Sequence, residues 1–448
     1  MSTKFKTTTL ALAVSVALGT VSAQAAEGDK TKVEDVEKIV VVGSRGAPRS
    51  VNDSPVPIDL IGSEELKRGG NTNMLELLKG TVPSFNVHEN PISDAASLVK
   101  PANLRGLSSD STLILVNGKR RHKASVIALL GGGINDGAQG SDISVIPSSA
   151  LKQVEILRDG AAAQYGSDAI AGVMNFVLKD DAEGGSLTAR YGSYYEGDGD
   201  TMEVSGNVGM PLTKDGFVNL SFQYKNADAT SRSVQRPDAA GFIAAGVSGV
   251  GDPAQIWGSP EVNDDITIFA NVGLDLGNDN EAYMFGNFSE RDVRGGFYYR
   301  NPHTRGGVYS NDGGDSLLIG DVAQAGGADR TCQPVAITSN NVLTQDNYID
   351  NVANNDNCFA FNQIAPGGFT PNFGGNIVDT SITMGTRGEL DNGVMYDVSG
   401  SVGMNESSYV IYNTVNSSLG IDTPRDFNPG KHKQLEKTFN VDFSKDID

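Results

Sequence analysis

The residues of this chain that could carry out chemistry do not gather at any recognisable spacing. The four histidines, His88, His122, His303 and His432, do not stand at the spacing of metal ligands. The glycine run at 131–133 lacks the Lys-Ser or Lys-Thr pair that follows in a phosphate loop. No pairing of a nucleophile with a base is visible either. The sequence therefore predicts no enzyme, no metal site and no cofactor.

Charge sets one short stretch apart from the rest of the chain. The formal net charge is −20, which argues against nucleic acid as a partner. Within this acidic chain, Lys119-Arg120-Arg121-His122-Lys123 is a compact basic cluster. The role of such a cluster depends on the elements that position it.

The stretch at 143–179 predicts a compact strand, turn, helix and strand. Val154 to Leu157 are strand-like, 161–164 suit one helical turn, and a second apolar run follows at 172–178. An ordinary αβ motif of a soluble enzyme would show a similar pattern. The sequence QVEILRDGAAAQYGSDAIAGVMNFVLK, however, resembles the last motif of the plug domain of TonB-dependent outer-membrane receptors. In that family a run like VEVLRG, then YG, then AIAGVIN, closes the plug just before the barrel.

The resemblance implies secretion, and the N-terminus meets this requirement. Lys4 and Lys6 precede a short apolar run at 10–18, and Ala23-Gln24-Ala25 fits a cleavage site. This pattern is typical of a signal peptide. The apolar run is too short to span a bilayer as a permanent helix. We therefore predict a signal peptide over residues 1–25 and localisation in the bacterial outer membrane.

The segment KIVVVG, which follows a short charged stretch, resembles the TonB box through which the family is coupled to energy. A buried first strand is the alternative for its β-branched residues. An exposed extended segment can add to the sheet edge of a partner through main-chain hydrogen bonds. The resemblance therefore implies that TonB and its proton-driven inner-membrane complex contact this box, which consists of Lys38, Ile39, Val40, Val41, Val42 and Gly43.

The stretch between the box and residue 143 repeats the order of elements in the plug. We predict a strand at 56–61, a helix with Ser63 as N-cap, and a second helix that starts at 71–73 and ends at Gly80. Two further strands are expected, one carrying Arg105-Gly106-Leu107 and the other at 113–116.

The resemblance also assigns roles to arginines. In the family, the arginines of the RG and VLRG motifs lie between plug and barrel, so Arg105 and Arg158 are expected to pair with barrel carboxylates. Asp159 departs from the glycine that often follows. Arg120, Arg121, His122 and Lys123 are candidates for an anionic ligand site at the plug apex. A solvated turn, or counter-charges for acidic residues of the barrel wall, are the alternatives.

From residue 186 onward the hydrophobic pattern has a period of two. In GFVNLSFQYK, Val218, Leu220, Phe222 and Tyr224 share one face, and polar residues share the other. Short and long connectors alternate from the third strand onward, as expected for a barrel with one rim in the periplasm. We predict eight strands, at 186–195, 201–211, 216–228, 265–276, 281–293, 377–390, 394–407 and 434–445.

Eight strands would enclose too little space for a plug, since plugged transporters use about 22. We therefore expect the sequence to be the N-terminal part of a longer receptor, or a truncated product. The predicted fold is an α+β plug followed by an incomplete antiparallel transmembrane β-barrel. The predicted domains are a signal peptide (1–25), a periplasmic segment with the box (26–49), the plug (50–180) and the first barrel strands (181–448).

Cys332 and Cys358 are the only two cysteines, and they fall in the longest predicted outer loop. Because the resemblance places this loop in an oxidising compartment, we expect one disulfide between them.

The predicted function is energy-dependent import of a scarce small-molecule or oligomeric solute across the outer membrane, in contact with its lipid. A passive porin or an adhesin-like barrel is the alternative, and it would need neither plug nor box. The sequence does not identify the solute.

Overall fold

The structure is a computed structural model, and it describes residues 39–40, 49–50, 57–63, 65, 74–87, 95–129, 132–158, 160–322, 327, 329 and 331–445. Residues 39–448 form one compact unit. The predicted signal peptide and most of the helix predicted to begin at Ser63 lie outside the described residues. No helix within the described part of the chain is long and apolar enough to cross a membrane.

The first described strands are short and pair with each other. β1 and β2 are antiparallel, with Ile39 opposite Ser50 and Val40 opposite Arg49. The strands are β1 (Ile39–Val40) and β2 (Arg49–Ser50).

The N-terminal domain is built on a five-stranded mixed sheet in the order β3-β8-β9-β6-β7, in which only β6 and β9 run parallel. Two short strands, β4 and β5, pair beside it. Its strands are β3 (Ile58–Gly62), β4 (Phe85–Val87), β5 (Ala102–Leu104), β6 (Thr112–Val116), β7 (Lys119–Arg120), β8 (Leu151–Leu157) and β9 (Gly172–Leu178).

Helix α1 (Met74–Thr81) packs into the core of the N-terminal domain with its apolar face. Met74, Leu75 and Leu78 recur at helical spacing and are buried. Pro83 follows the helix two residues after its end. The second helix, α2 (Ala162–Tyr165), is the single turn predicted between β8 and β9.

The prediction for the strand around Arg105 is wrong. β5 ends at Leu104, and Arg105 and Gly106 take φ values of 54° and 70°. Two successive residues in the left-handed region reverse the chain and cannot continue a strand. Asn103 closes the turn by donating its side-chain amide to the Leu107 carbonyl at 2.9 Å.

The rest of the chain is one antiparallel sheet of eight long strands, in the order β10-β11-β12-β13-β14-β17-β18-β19. The predicted number and order of strands are confirmed. In the described residues β10 and β19 are not paired with each other, so the sheet is open. The strands are β10 (Gly185–Gly192), β11 (Thr201–Thr213), β12 (Gly216–Ala227), β13 (Glu261–Gly277), β14 (Asn280–Gly296), β17 (Asn372–Glu389), β18 (Met395–Tyr412) and β19 (Phe427–Ser444).

The two rims of the long sheet differ. Short turns at 214–215, 278–279 and 390–394 connect strands at one rim, and long loops at 228–260, 297–371 and 413–426 connect them at the other. The described parts of the loops contain two helices, α3 (Pro237–Ala244) and α4 (Asp346–Tyr348), and two short strands, β15 (Gly320–Asp321) and β16 (Cys358–Phe359). Other single turns are the 3₁₀ segments Ala95–Ser97, Ser109–Ser111, Gly133–Asn135, Ser148–Ala150, Ser167–Ala169, Val342–Thr344, Phe361–Gln363 and Ser417–Asp422, and the π segment Ile349–Ala353.

The two faces of the long sheet have opposite character. On β12, Leu220 and Phe222 are exposed, whereas Asn219 and Ser221 are buried on the side of the N-terminal domain. The same alternation continues across the sheet, because strand side chains point to opposite faces in turn. Further exposed apolar side chains of the outer face are Ile268, Met284, Phe288, Ile382, Met384, Val402, Leu435, Phe439 and Val441.

The inner face of the long sheet packs on the N-terminal domain. Phe269 of β13 and Phe285 of β14 belong to the same apolar core as Leu78, Ile156 and Phe176 of that domain. The domain therefore lies against the inner face of the sheet and shares its core with it.

The longest loop has its own core and a disulfide. Cys332 and Cys358 are bonded, with Cα atoms 5.7 Å apart, and pack with Val335, Tyr348 and Val352. Burial raises the pKa of Tyr348 to about 12. This loop is tied to the preceding one by Asn301, which donates to Asp238 at 2.9 Å.

Candidate functional site: the interface between the domain and the sheet

The basic cluster lies on the inner face of the long sheet, where it meets carboxylates. It follows β6 and the turn at Asn117-Gly118, so β7 carries it to the edge of the five-stranded sheet. From Lys119 to Ser125 the chain then runs along β17, β18 and β19. We call this stretch, residues 119–125, the wall segment.

The centre of the interface is Asp379 of β17. Arg121 Nη2 lies 2.6 Å from Asp379 Oδ1, and His122 Nε2 lies 2.9 Å from Asp379 Oδ2. Asn287 and Asn405 also donate to the same carboxylate, each at 2.9 Å. The side chains of Arg121, His122 and Asp379 are at most 4% exposed, so Asp379 is a buried carboxylate with a full set of donors.

A glycine on β18 makes room for the histidine. A Cβ atom at Gly403 would overlap the imidazole ring of His122. Any side chain at position 403 would therefore occupy the space that the His122 ring fills.

The wall segment makes a second ion pair near the short-turn rim. Lys119 Nζ lies 2.9 Å from Asp397 Oδ2 on β18 and 3.7 Å from Asp442 Oδ2 on β19. Tyr283 of β14 donates to the other oxygen of Asp397 at 2.6 Å.

Toward the long-loop rim the ion pairs give way to hydrogen bonds from main-chain and neutral side-chain groups. The Lys123 main-chain N–H donates to Glu436 at 2.7 Å. Ser125 donates to Asn405 from its N–H and from its hydroxyl, each at 2.8 Å, and its Oγ lies 2.9 Å from Ser407 Oγ.

A last contact lies nearer the long-loop rim, and in it the two domains exchange charge signs. Here the N-terminal domain supplies the acid, Asp142, and β14 supplies the base, Arg291. Arg291 Nη2 lies 2.5 Å from Asp142 Oδ2 and donates to the Leu98 carbonyl at 3.1 Å. Both side chains are buried.

These contacts give Arg121 and His122 a partner in the wall, and their predicted role in a ligand site stays a prediction. Both side chains are buried and bind Asp379. Arg120 binds Asp168 and the Tyr165 carbonyl of its own domain, and Lys123 Nζ lies 3.3 Å from Asp110. Of the two alternatives, a counter-charge for an acidic residue of the wall describes Arg121.

Among the described residues, the partner of Arg158 lies in its own domain and not on the long sheet, so its expected pairing with a barrel carboxylate stays a prediction. Arg158 donates to Asp59 Oδ1 at 2.9 Å, and Asp59 belongs to β3 of the same domain. The two side chains sit at the ends of paired strands, which holds them together locally. Arg105 is exposed in its turn, and its predicted role stays a prediction.

The remaining predicted sites differ in how far the structure describes them. Ile39 and Val40 form β1, whereas Lys38, Val41, Val42 and Gly43 lie outside the described residues, as do His88 and Asp159. Among the described residues, no group of three or more His, Cys, Asp and Glu side chains could hold a metal ion.

The sequence did not reveal the wall side of this interface. Asp379, Asn287, Asn405, Arg291 and Asp397 were not identified as site residues. The available signal was the polar residue in the middle of an inward-facing row, such as Asp379 between Ile377 and Ser381. That pattern shows an inward carboxylate but not its partner.

Comparison with known proteins agrees with this architecture. Residues 50–173 match the family described as TonB-dependent Receptor Plug Domain. A curated relative, the ferric enterobactin receptor of Pseudomonas aeruginosa, is 27% identical over 202 residues, which are 44% of this chain and 26% of the relative.

Solved structures give the same fold. A doubly substituted ferric enterobactin receptor from Pseudomonas aeruginosa matches with a TM-score of 0.52 and 17% identity, over 87% of this chain and 46% of that one. A singly substituted form in complex with enterobactin matches with a TM-score of 0.50 and 17% identity, over 86% and 46%. The chain thus spans about half the length of these structures. Residues 50–173 thus form the plug domain of TonB-dependent receptors, and an open sheet of eight antiparallel strands with the fold of their barrel follows it.

Proposed function

We propose that this protein imports a ferric siderophore-type solute across the outer membrane with energy delivered through TonB. The observation that carries the proposal is that buried ion pairs hold the plug against the inner face of the barrel wall. A passive porin needs an open lumen, and here the lumen side of β13 to β19 is occupied. The name of the relatives supports ferric enterobactin as the first solute to test.

The proposal assigns a direction to the molecule. The short turns form the periplasmic rim and the long loops the outer rim, since barrels of this kind have short periplasmic turns. Residues 1–25 are removed as a signal peptide, 26–49 carry the TonB box, 50–180 are the plug and 181–448 are barrel.

The TonB box would act through its main chain. We propose that residues 38–43 add to a sheet edge of TonB, and that the inner-membrane complex then pulls on the plug. Since β1 already pairs with β2 on one side, only its other edge is open to a partner unless the pair separates. Transport then requires that contacts between plug and wall open.

The experiment is uptake of radioactive iron supplied as ferric enterobactin by cells that express the chromosomally encoded protein. We expect uptake that a protonophore abolishes and that Val41→Pro abolishes without loss of ligand binding, because proline removes a main-chain donor. Val41→Thr, which keeps the donor and the β-propensity, is the control. Uptake that persists with the protonophore would favour a passive pore. If ferric enterobactin is not taken up, a panel of other ferric siderophores, sugars and peptides identifies the solute.

A further inference from the structure

The inner face of the barrel wall carries a row of alternating charges. Arg190 of β10 is directly opposite Glu203 of β11, Glu203 is opposite Lys225 of β12, and Lys225 is opposite Asp265 of β13. Directly opposite residues of an antiparallel sheet have Cβ atoms about 4.5–5.5 Å apart. Each charge in this row therefore has an opposite charge as its neighbour.

A bulge extends the row to Arg291 of β14. The pairing of β13 with β14 passes from Asn263↔Asp292 to Ile266↔Glu290, so Asp264 and Asp265 together oppose Arg291. Asp264, with φ of 49°, is exposed and accepts from Tyr224 Oη at 3.0 Å. Asp265 is buried on the inner face and interacts electrostatically with Arg291.

Asp265 is a carboxylate with unused acceptor capacity. Its Oδ1 is buried, and no donor among the residues that the structure describes reaches it. Arg291 instead binds the plug through Asp142 and the Leu98 carbonyl. A second acceptor for the guanidinium thus lies beside the one in use.

Asp142 accepts three hydrogen bonds besides the one from Arg291. Its Oδ1 accepts from the Ser144 hydroxyl at 2.6 Å, from the Ser144 N–H at 3.0 Å and from the Lys100 N–H at 3.3 Å. All three donors belong to the plug and would move with it. The large cost of separating a buried pair comes from a charge left without a partner. Here Arg291 has Asp265 opposite it, and Asp142 keeps three hydrogen-bond donors of the plug.

We propose that Asp265 is the alternate partner of Arg291 and receives its guanidinium when the plug withdraws Asp142. Lys225 lies directly opposite Asp265 on the neighbouring strand β12 and supplies an opposite charge on that side. Asp265 is thus a positioning residue that lets this contact between plug and wall open and re-form. Its role in transport rests on the proposed function, whereas the shared pairing does not.

Thermal unfolding of the purified protein tests the shared pairing. Asp142→Asn leaves Arg291 with Asp265, and Asp265→Asn leaves it with Asp142, so each single change should lower the unfolding midpoint moderately. The double variant leaves Arg291 without either carboxylate and should lower the unfolding midpoint by more than the sum of the two single effects. Asp142→Asn combined with Asp264→Asn should be additive. Additivity in both pairs, or equal coupling in both, would overturn the proposal.

Uptake tests the role in transport. We expect Asp265→Asn to lower the maximal rate of ferric enterobactin uptake several-fold, with the half-saturating concentration and the protease resistance of the resting plug unchanged. Asp265→Glu, which keeps the charge, should recover most of the rate, and Asp264→Asn should match the parent. A parental rate for Asp265→Asn overturns this role. Absence of energy-dependent uptake in the parent refutes the proposed function instead, and the unfolding result still decides the pairing.

Discussion

Asp379 concentrates the interactions that fix the plug at the level of single residues. It accepts hydrogen bonds from Arg121, His122, Asn287 and Asn405, and the side chains of Arg121 and His122 are buried. The stabilisation from each hydrogen bond alone is modest, but a buried carboxylate needs several of them to offset its lost hydration. The pairing of plug and wall therefore depends on few side chains.

Removing Arg121 should be far more costly than removing its neighbour. We expect Arg121→Gln to lower the free energy of unfolding by about 3 kcal/mol, because Asp379 is left as a buried charge without its arginine partner. Arg120→Gln is the matched control, since Arg120 is partly exposed and binds within the plug, and we expect about 0–1 kcal/mol. Denaturant unfolding of both purified variants measures the difference. Equal losses would mean that Asp379 is not the centre of the interface.

A second residue-scale prediction concerns pH and the outer loop. Hydrogen bonds from the hydroxyls of Ser316 and Ser310 and from main-chain N–H groups hold the pKa of Asp312 well below its usual range. A lowered pKa in the folded state contributes stability above the unfolded pKa of about 3.9 and loses it as the pH falls further.

Acid should therefore loosen the turn at 310–316 in the parent only below about pH 4. Asp312→Ala should loosen it at neutral pH as well. Hydrogen exchange of the loop amides at several pH values measures this. The exposed Asp315→Ala is the control, and an Asp312→Ala profile identical to that of the parent would contradict the assignment.

At the scale of elements, β18 is shaped to receive the wall segment. Gly403 faces the ring of His122, whereas a Cβ atom added at Gly400 would meet nothing closer than the Thr438 carbonyl oxygen at 4.0 Å. Two glycines of one strand thus differ in what they face.

Gly403→Ala should displace His122 from Asp379 and cost about 1–3 kcal/mol, as overpacking does. Gly400→Ala should cost less, because its added methyl meets no close neighbour. Unfolding midpoints of both variants, with protease access to the plug as a second reading, measure this. Equal behaviour of the two variants would show that the space at Gly403 is not required.

The elements were largely predictable, and their ends were not. Alternation with a period of two predicted all eight strands, because it persists wherever one face meets the apolar surroundings and the other the plug. β19 begins at Phe427 and not at 434, and β17 at Asn372 and not at 377. At these ends, near the outer rim, polar residues occupy both faces, so the alternation fades while the main-chain pairing continues.

The site was predictable only on its plug side. The basic cluster stood out by charge, but Arg121 and Asp379 are 258 positions apart in the chain. No local pattern links such residues, because their proximity results from the closure of the plug against the wall. Arg158 shows the converse case, since the structure gives it a local partner, Asp59, on a neighbouring strand of its own sheet.

At the scale of the whole molecule, plug and wall are joined at several heights by contacts of different strength. The ion pairs of Lys119, Arg121 and Asp142 are joined by weaker hydrogen bonds around Ser125. If transport opens this interface, a covalent link across it should stop transport without affecting ligand binding. Ser125 and Ser407 suit such a link, because their Oγ atoms are 2.9 Å apart.

The most direct measurement is therefore ferric enterobactin uptake by cells that carry Ser125→Cys together with Ser407→Cys. Each single substitution, and the parent treated with reductant, serve as controls for side-chain loss and for the disulfide between Cys332 and Cys358. We predict that the oxidised double variant binds the ligand but does not take it up, and that reductant restores uptake. Uptake at the parental rate, with the cross-link shown to be complete, would contradict the claim that energy-driven transport opens the contact between plug and wall.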